Sequence, residues 1–388
     1  MTASSTNSLR AMIAIWVMTA PVAAAIAQTV PARVAAAANG FLATLSEKQR
    51  QSVLYSFDDE QQRQRWSNFP TIVVHRSGMS LKDMNPAQRS AAMALVHSVL
   101  SARGFEKVEQ IMEGDEVNKI NEQKHPSGPR GAGGGPAGPL GPPPDGGPGM
   151  GPPGMGPPGP RRGGPSLAPG DLFGKDLYYI SILGTPSEKD AWMLQFGGHH
   201  LALNVTIAGD RGVLTPTLTG AQPAIYTQNG KIVRPLGNES DEAIDLLNAL
   251  NTQQRKQAIL GYRVANLVLG PGQDGKTIQP EGLKASAMNE HQRAMLLDLI
   301  SQWAGIINER AAAVRMAEIK AALDDTWFAW SGPTTVIPGS NITAYYRIQG
   351  PTVIIEYAPQ GEGEEAVMHV HTMYRDPTND YGRRLVVR

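Results

Sequence analysis

Four of the eight histidines fall in two tight clusters, His199 with His200 in "QFGGHHLALNVTI" and His369 with His371 in "EAVMHVHTMYR". Imidazole suits zinc, copper, iron or nickel as a ligand, and it also serves as acid, base or oxyanion donor near neutral pH. Alternate residues of a strand share a face, so His369 and His371 would point at one metal. Only one of His199 and His200 would join them, unless Gly197 and Gly198 make a bulge that turns the backbone. A carboxylate would complete a common ligand set, and Glu356 in "VIIEYAP" is the first choice. Alternation puts Ile354 and Glu356 on one face and Val353, Ile355 and Tyr357 on the other, which frees the carboxylate from the apolar face. The candidate metal ligands are therefore His199, His200, Glu356, His369 and His371, for zinc, copper or iron.

Other polar groups crowd the same stretch. In "HTMYRDPTNDYG", Arg375 has the planar fork to clamp a carboxylate, and Asp376 or Asp380 is placed to orient a histidine. A terminal turn shaped by Pro377 and capped by Asp380 explains the same residues. With His200 as acid or base, the candidate catalytic residues are His200, Arg375 and Asp376. Asn204 either orients a ligand or pairs within the sheet. His75, beside Arg76, is a weaker candidate to close the pocket, while His97, His125 and His291 stand in helical, linker and polar contexts. The glycines of "VLGPGQDGKTIQPEG" lack P-loop spacing and read as a rim loop. The aromatics of "DDTWFAWSG" read more readily as a helix end packed on a sheet than as the floor of a cleft. There is no G-x-S-x-G elbow, no H-E-x-x-H helix and no dinucleotide fingerprint.

The elements that must hold these residues are mixed. From Leu45 to Gln123 the pattern is mainly helical, with a capping-box arrangement at Ser46 and Gln49 and an Asn85-Pro86 helix start whose helix runs to Gly104. Ile72 to Val74 reads as a strand or an extended loop. Residues 126–170, dominated by glycine and proline without a steady collagen register, read as a flexible insertion. Beyond it "KDLYYISILG", "AWMLQFGG" and "HHLALNVTI" read as strands, "SDEAIDLLNALNTQQRKQAIL" and a long stretch from Ala285 to Asp325 as helices, and the C-terminal runs as a strand meander. Helices and strands segregate, so the expectation is an α+β fold with a mixed or antiparallel sheet packed against helices. It would be one domain over residues 45–388 with the insertion inside it. No internal repeat is convincing.

Composition narrows the partners. The 35 basic and 35 acidic residues balance, which gives no reason to expect nucleic acid, and the absence of cysteine excludes disulfides and thiolate chemistry. Arg10 followed by "AMIAIWVMTAPVAAAIA" reads as a signal peptide over residues 1–27, cleaved near Ala27, with a periplasmic or secreted destination. The alanines from Ala35 to Ala38 offer an alternative cleavage point. No later segment has the length of a membrane span.

The motifs "FGGHHLALN", "LGPGQDG", "DDTWFAWSG" and "EYAP...HVHTMYRDPTNDYG" together resemble the bacterial proteins grouped as the domain of unknown function 3500, from about Leu45 to Arg388 without the insertion. The resemblance implies a fold unit and no reaction. From the residues themselves, the leading expectation is metal-assisted hydrolysis of a small anionic substrate held by Arg375. The alternatives are a copper- or iron-dependent oxidoreductase and a non-catalytic protein that binds a metal or small ligand in the periplasm.

Overall fold

The computed structural model describes residues 29–124 and 172–385; the leader read at 1–27 and the insertion read at 126–170 lie outside them. The N-terminal part contains α1 (Val30–Ala43), α2 (Glu47–Val53), β1 (Leu54–Tyr55), α3 (Glu60–Arg63), β2 (Met79–Ser80), α4 (Pro86–Val99) and α5 (Ala102–Lys124). Then come β3 (Tyr179–Leu183), β4 (Trp192–Gly197), β5 (Leu201–Ala208), β6 (Arg211–Val213), β7 (Thr217–Ala221), β8 (Tyr226–Gln228) and β9 (Lys231–Val233). The remainder is α6 (Gly237–Ala249), α7 (Thr252–Ala258), β10 (Leu283–Lys284), α8 (Glu290–Ala304), α9 (Glu309–Ala321), β11 (Trp327–Ser331), β12 (Tyr345–Gln349), β13 (Ile354–Pro359), α10 (Glu364–Met368) and β14 (Val370–Arg375).

A 12-stranded sheet runs β1-β3-β4-β5-β7-β14-β13-β12-β11-β10, with β2 beside β3 and β6 beside β5. Its pairs are antiparallel except β1 with β3, so the sheet is mixed and the fold is α+β. Strand alternation sends the bulky apolar residues to one face. Ile180, Leu194, Phe196, Leu203 and Val205 pack there with α1, α4 and α5, and Phe328, Trp330, Tyr346, Ile355 and Tyr357 with α6 and α8. The opposite face carries Gln195, Asn204, Arg347, Glu356 and His371, and is closed by the loops that hold Trp66 and Leu267.

The two halves of the chain repeat one unit, which the sequence did not disclose. Capping boxes at Ser46–Gln49 and Asn85–Gln88 recur at Asn251–Gln254 and Asn289–Gln292. Gln88 Nε2 donates to Thr44 O and Gln49 Oε1, both at 3.0 Å. Gln292 Nε2 donates to Ala249 O at 2.8 Å and Gln254 Oε1 at 2.9 Å. Gly78 and Gly282 occupy the same place at φ +92° and +97°, and a Cβ on either would lie 2.2 Å from a carbonyl oxygen, of Ile180 or Phe328. The parallel pairing Leu54↔Ile182 recurs as the bridge Ile259↔Trp330. Strands β2, β3, β4, β5 and β7 thus correspond to β10, β11, β12, β13 and β14, and the halves meet at the antiparallel pair β7–β14 across a pseudo-two-fold axis.

Several local readings change. The helices read from Ser240 to Leu260 are α6 and α7, divided at Asn251, while the long stretch after Ala285 breaks between α8 and α9, where Asn308 caps α9. Trp327, Phe328 and Trp330 belong to a strand, not a helix end. Gly104 lies inside α5, where its missing Cβ lets Ile306 O approach, while α4 ends at Val99. Ile72 to Val74 form a turn, and Ala35 to Ala38 lie within α1.

Candidate metal centre

The parity problem posed by adjacent histidines is solved by a turn. Gly198 N donates to Leu201 O at 2.9 Å, closing the connection between β4 and β5. A Cβ on Gly197 would lie 2.2 Å from Leu201 O, and one on Gly198 3.0 Å from Leu177 O, so the turn has no room for a side chain at Gly197 and little at Gly198. His199 and His200 leave the strand and stack on each other, with ring centroids 4.1 Å apart and planes 18° apart. His369 caps the C-terminus of α10, and His371 sits on β14 between Ala358 and Gly220. A Cβ on Gly220 would stand 2.8 Å from His371 Cδ2 and 3.2 Å from His200 Cδ2, so the absent side chain is the space the two rings fill.

The nitrogens converge. His369 Nε2 lies 3.1 Å from His371 Nε2 and 3.4 Å from His200 Nε2. Ligand nitrogens on a tetrahedral ion with bonds of about 2.0–2.1 Å stand about 3.3–3.4 Å apart, the length of the tetrahedron's edge. His199, His200 and His371 also form a buried group whose ring nitrogens lie within 4.8 Å of one another, a set able to hold a metal. His200 and His371 belong to both sets, with His199 and His369 on either side of them. The Nδ1 of His199 is buried without a hydrogen-bond partner.

Outer partners fix the rings. His200 Nδ1 meets Asp115 Oδ1 at 2.5 Å, and the Tyr178 hydroxyl donates to Asp115 Oδ2 at 2.7 Å. With the Nδ1 proton given to Asp115, the His200 Nε2 lone pair faces His369, the arrangement in which a carboxylate supports a ligating imidazole. Asn68 Nδ2 lies 3.2 Å from His371 Nδ1. Turning that amide over presents its oxygen to an Nδ1 proton and leaves the His371 Nε2 lone pair free. Phe173 stacks on His199 with centroids 5.0 Å apart and walls off one side.

Burial keeps three of these imidazoles, His199, His369 and His371, neutral. It pushes His199 and His371 well below the usual histidine range, helped by the neighbouring imidazoles and, for His199, by Arg76. His369 falls to about 3, from burial and then from His200. Neutral imidazole is the ligating form, so these three rings are ready to coordinate without first losing protons. His200 is fully buried and His369 is the most open of the four, so access runs past His369.

The other expected site residues have different work. Glu356 does not join the imidazoles. Its Oε1 accepts from Val268 N and the Tyr345 hydroxyl, both at 2.7 Å, and its Oε2 from Leu269 N at 2.8 Å, so the carboxylate anchors the loop that carries "LGPGQDG". Arg375 is no free anion clamp. It is buried, paired with Asp274 at 2.7 Å and Asp380 at 2.9 Å, and donates to the carbonyls of Leu269 and Gly270. Asp376 pairs with Arg315 at 3.1 Å and accepts from Thr378. Asn204 bridges Gln195 and Pro216 O within the sheet, and His75 is exposed. Asp115, Asn68, Phe173 and Tyr178 were missed, because each contacts the histidines only through the tertiary fold.

No helix of the described residues is long and apolar enough to cross a membrane. Over residues 27–383 the chain matches the family described as protein of unknown function (DUF3500), and it belongs to that family. No curated protein and no solved structure matches it.

Proposed function

We propose that this DUF3500 chain is an exported metal-dependent hydrolase whose ion is held by His200, His369 and His371. The observation that carries the reading is the approach of His369 Nε2 to His371 Nε2 at 3.1 Å and to His200 Nε2 at 3.4 Å, with the far nitrogen of His200 already given to Asp115. An ion on three imidazoles keeps a coordination position open and supplies a Lewis acid that activates water near neutral pH. His199 contributes an unpartnered, buried Nδ1 to the same cluster, a nitrogen that could take a proton from water were an ion held there. This moves the acid–base role from His200, whose ring is fixed by Asp115, to its neighbour. Arg375 is consumed by Asp274 and Asp380, so the support for an anionic substrate is withdrawn and the substrate's charge is left open. The leader-like residues 1–27 support export.

One observation favours a second reading. The set is all nitrogen, which suits copper as well as zinc, and iron is accommodated by imidazole too, so an oxidoreductase uses the same ligands. If His199 turns in as a fourth ligand, the coordination closes and the protein binds metal without turnover. Elemental analysis of the tag-free mature protein beside a folded His369→Ala/His371→Ala variant tests the common premise. Stoichiometric zinc in the parent alone supports hydrolysis, and copper or iron in the parent alone transfers the assignment to redox chemistry. No metal in either protein after reconstitution refutes the centre.

A further inference from the structure

The repeated halves differ in one groove. In the N-terminal half, Leu183 and Met193 pack with Tyr55 and Phe57 around the ring of Tyr381, which is fully buried. Tyr381 comes from the chain after β14, at φ +61°, and is held by Trp66 Nε1 at 3.0 Å and Asp274 at 2.9 Å. The repeat equates Tyr55, Phe57, Leu183 and Met193 with Leu260, Tyr262, Ser331 and Tyr345. Those four line a cleft of about 540 Å³ in the C-terminal half. The residue that corresponds to Tyr381 is Ala224, which is buried elsewhere with its N–H on Met368 O. One groove is therefore plugged by the chain's own phenol ring, and its twin is open.

We propose that the open groove binds an aromatic ring of phenol size on a small ligand. The twin shows which shape this architecture accepts, and the open copy is walled by the rings of Tyr262 and Tyr345, which offer faces and edges to a planar guest. Its lining is more polar than the twin's, with Ser331 and Tyr345 where Leu183 and Met193 stand, which suits a ring carrying a hydroxyl. The groove also opens on the histidine face of the sheet. Tyr345 lies beside Ala358, and Ala358 pairs with His371, so Tyr345 and His371 are two strand spacings apart, about 10 Å. A ligand whose ring sits in the groove would reach the imidazoles only with a substituent that spans about 10 Å. That last role, recognition of an aryl-bearing substrate, rests on the metal-centre reading; the binding of the ring does not.

The test uses p-cresol, the side chain of tyrosine as a free molecule, and ligand-observed NMR titration of the whole chain with and without metal. Saturable binding is expected in both states, weakened about tenfold or more by Thr343→Trp or Ala265→Trp, each of which adds an indole to the groove lining. Ala265 is exposed, so its variant keeps the test intact if Thr343→Trp fails to fold. Cyclohexanol, of similar size without the flat ring, is expected to bind more weakly than p-cresol. Absence of saturable p-cresol binding, or binding unchanged by Ala265→Trp in folded protein, overturns the proposal. Because the readout needs neither metal nor turnover, a failed metal assignment leaves it standing, and its failure leaves the metal assignment standing.

Discussion

The replacement Asp115→Asn isolates the charge behind His200. The amide keeps the shape, its oxygen still accepts the Nδ1 proton of His200, and its nitrogen can donate to the Tyr178 hydroxyl, so the local packing is retained. What is lost is the negative charge at 2.5 Å from Nδ1, which raises the donor strength of Nε2. Removing such a carboxylate costs about 10–100-fold in metal affinity, equivalent to about 1.4–2.7 kcal/mol. His200 and Asp115 are fully or almost fully buried, so solvent does little to screen the effect. Competition of Zn²⁺ between the protein and a chromophoric chelator at pH 7 measures it, with circular dichroism to confirm the fold. Tyr178→Phe, which removes only the hydroxyl's bond to Asp115, is expected to change affinity less. A folded Asp115→Asn variant that binds Zn²⁺ within about threefold of the parent would refute the view that Asp115 supports a ligand.

Other changes separate the centre from its scaffold. Gly220→Ala places a methyl 2.8 Å from the His371 ring and is expected to reduce metal content sharply while costing about 1–3 kcal/mol in denaturant stability; full metal loading would show that the rings need not approach so closely. Glu356→Gln puts an amide donor among three donors that now converge on a carboxylate, and should cost about 2–3 kcal/mol with metal content unchanged; metal loss with stability retained would return Glu356 to the ligand set. Glu242 is pushed up to about 7 by burial, then by Glu239 and Asp298. A carboxyl raised on folding costs nothing below its unfolded value near 4.5, costs progressively more as pH climbs, and reaches its full cost above 7. Glu242→Gln is therefore expected to stabilise by about 1–2 kcal/mol at pH 8, after allowance for solvent screening, and not at pH 4; equal effects at both pH values would sink the assignment.

The legible parts of this chain were those written in local pattern. Capping residues announced α2 and α4, alternation put Glu356 and Tyr357 on opposite faces of β13, and the strand runs around Tyr179, Trp192 and Leu201 were found where they lie. Chemistry that depends on partners distant in sequence was not legible. Glu356 and Arg375 have the residue types of a site, yet each is neutralised by a loop more than 80 residues away, at Val268 or Asp274. Asp115 carries no signal of its own in "MEGDEV", because its meaning comes from α5 passing His200. The histidine pair was legible as chemistry, and Gly197 and Gly198 marked where the strand parity rule gives way, though the backbone departs by a turn and not a bulge. The repeat escaped notice for a related reason. What it preserves is a hydrogen-bond pattern, Gln to a carbonyl and to a second Gln, while the core residues around it have changed.

That repeat explains why the centre occurs once. The turn bearing His199 and His200 corresponds to Pro351 and Thr352 between β12 and β13, and the positions that match His369 and His371 are Gly212 and Leu214. At this twin location Arg315, from α9, donates to Thr352 O and to the Tyr374 hydroxyl and pairs with Asp376. A guanidinium stands on one side of the axis and four imidazoles on the other. A fixed positive charge repels a cation, and the guanidinium offers no nitrogen lone pair, so the two equivalent locations of a symmetric scaffold differ in what they can hold. The same break governs the grooves, one filled by Tyr381 and one open beside the histidines. Both differences put the available chemistry on the β12–β14 side of the histidine turn, where a ring in the groove and an ion on the imidazoles would lie on one face of one sheet. A structure with Zn²⁺ and p-cresol bound together should place them about 10 Å apart across Ala358 and Gln360, and separate placement on opposite faces would break the argument that joins them.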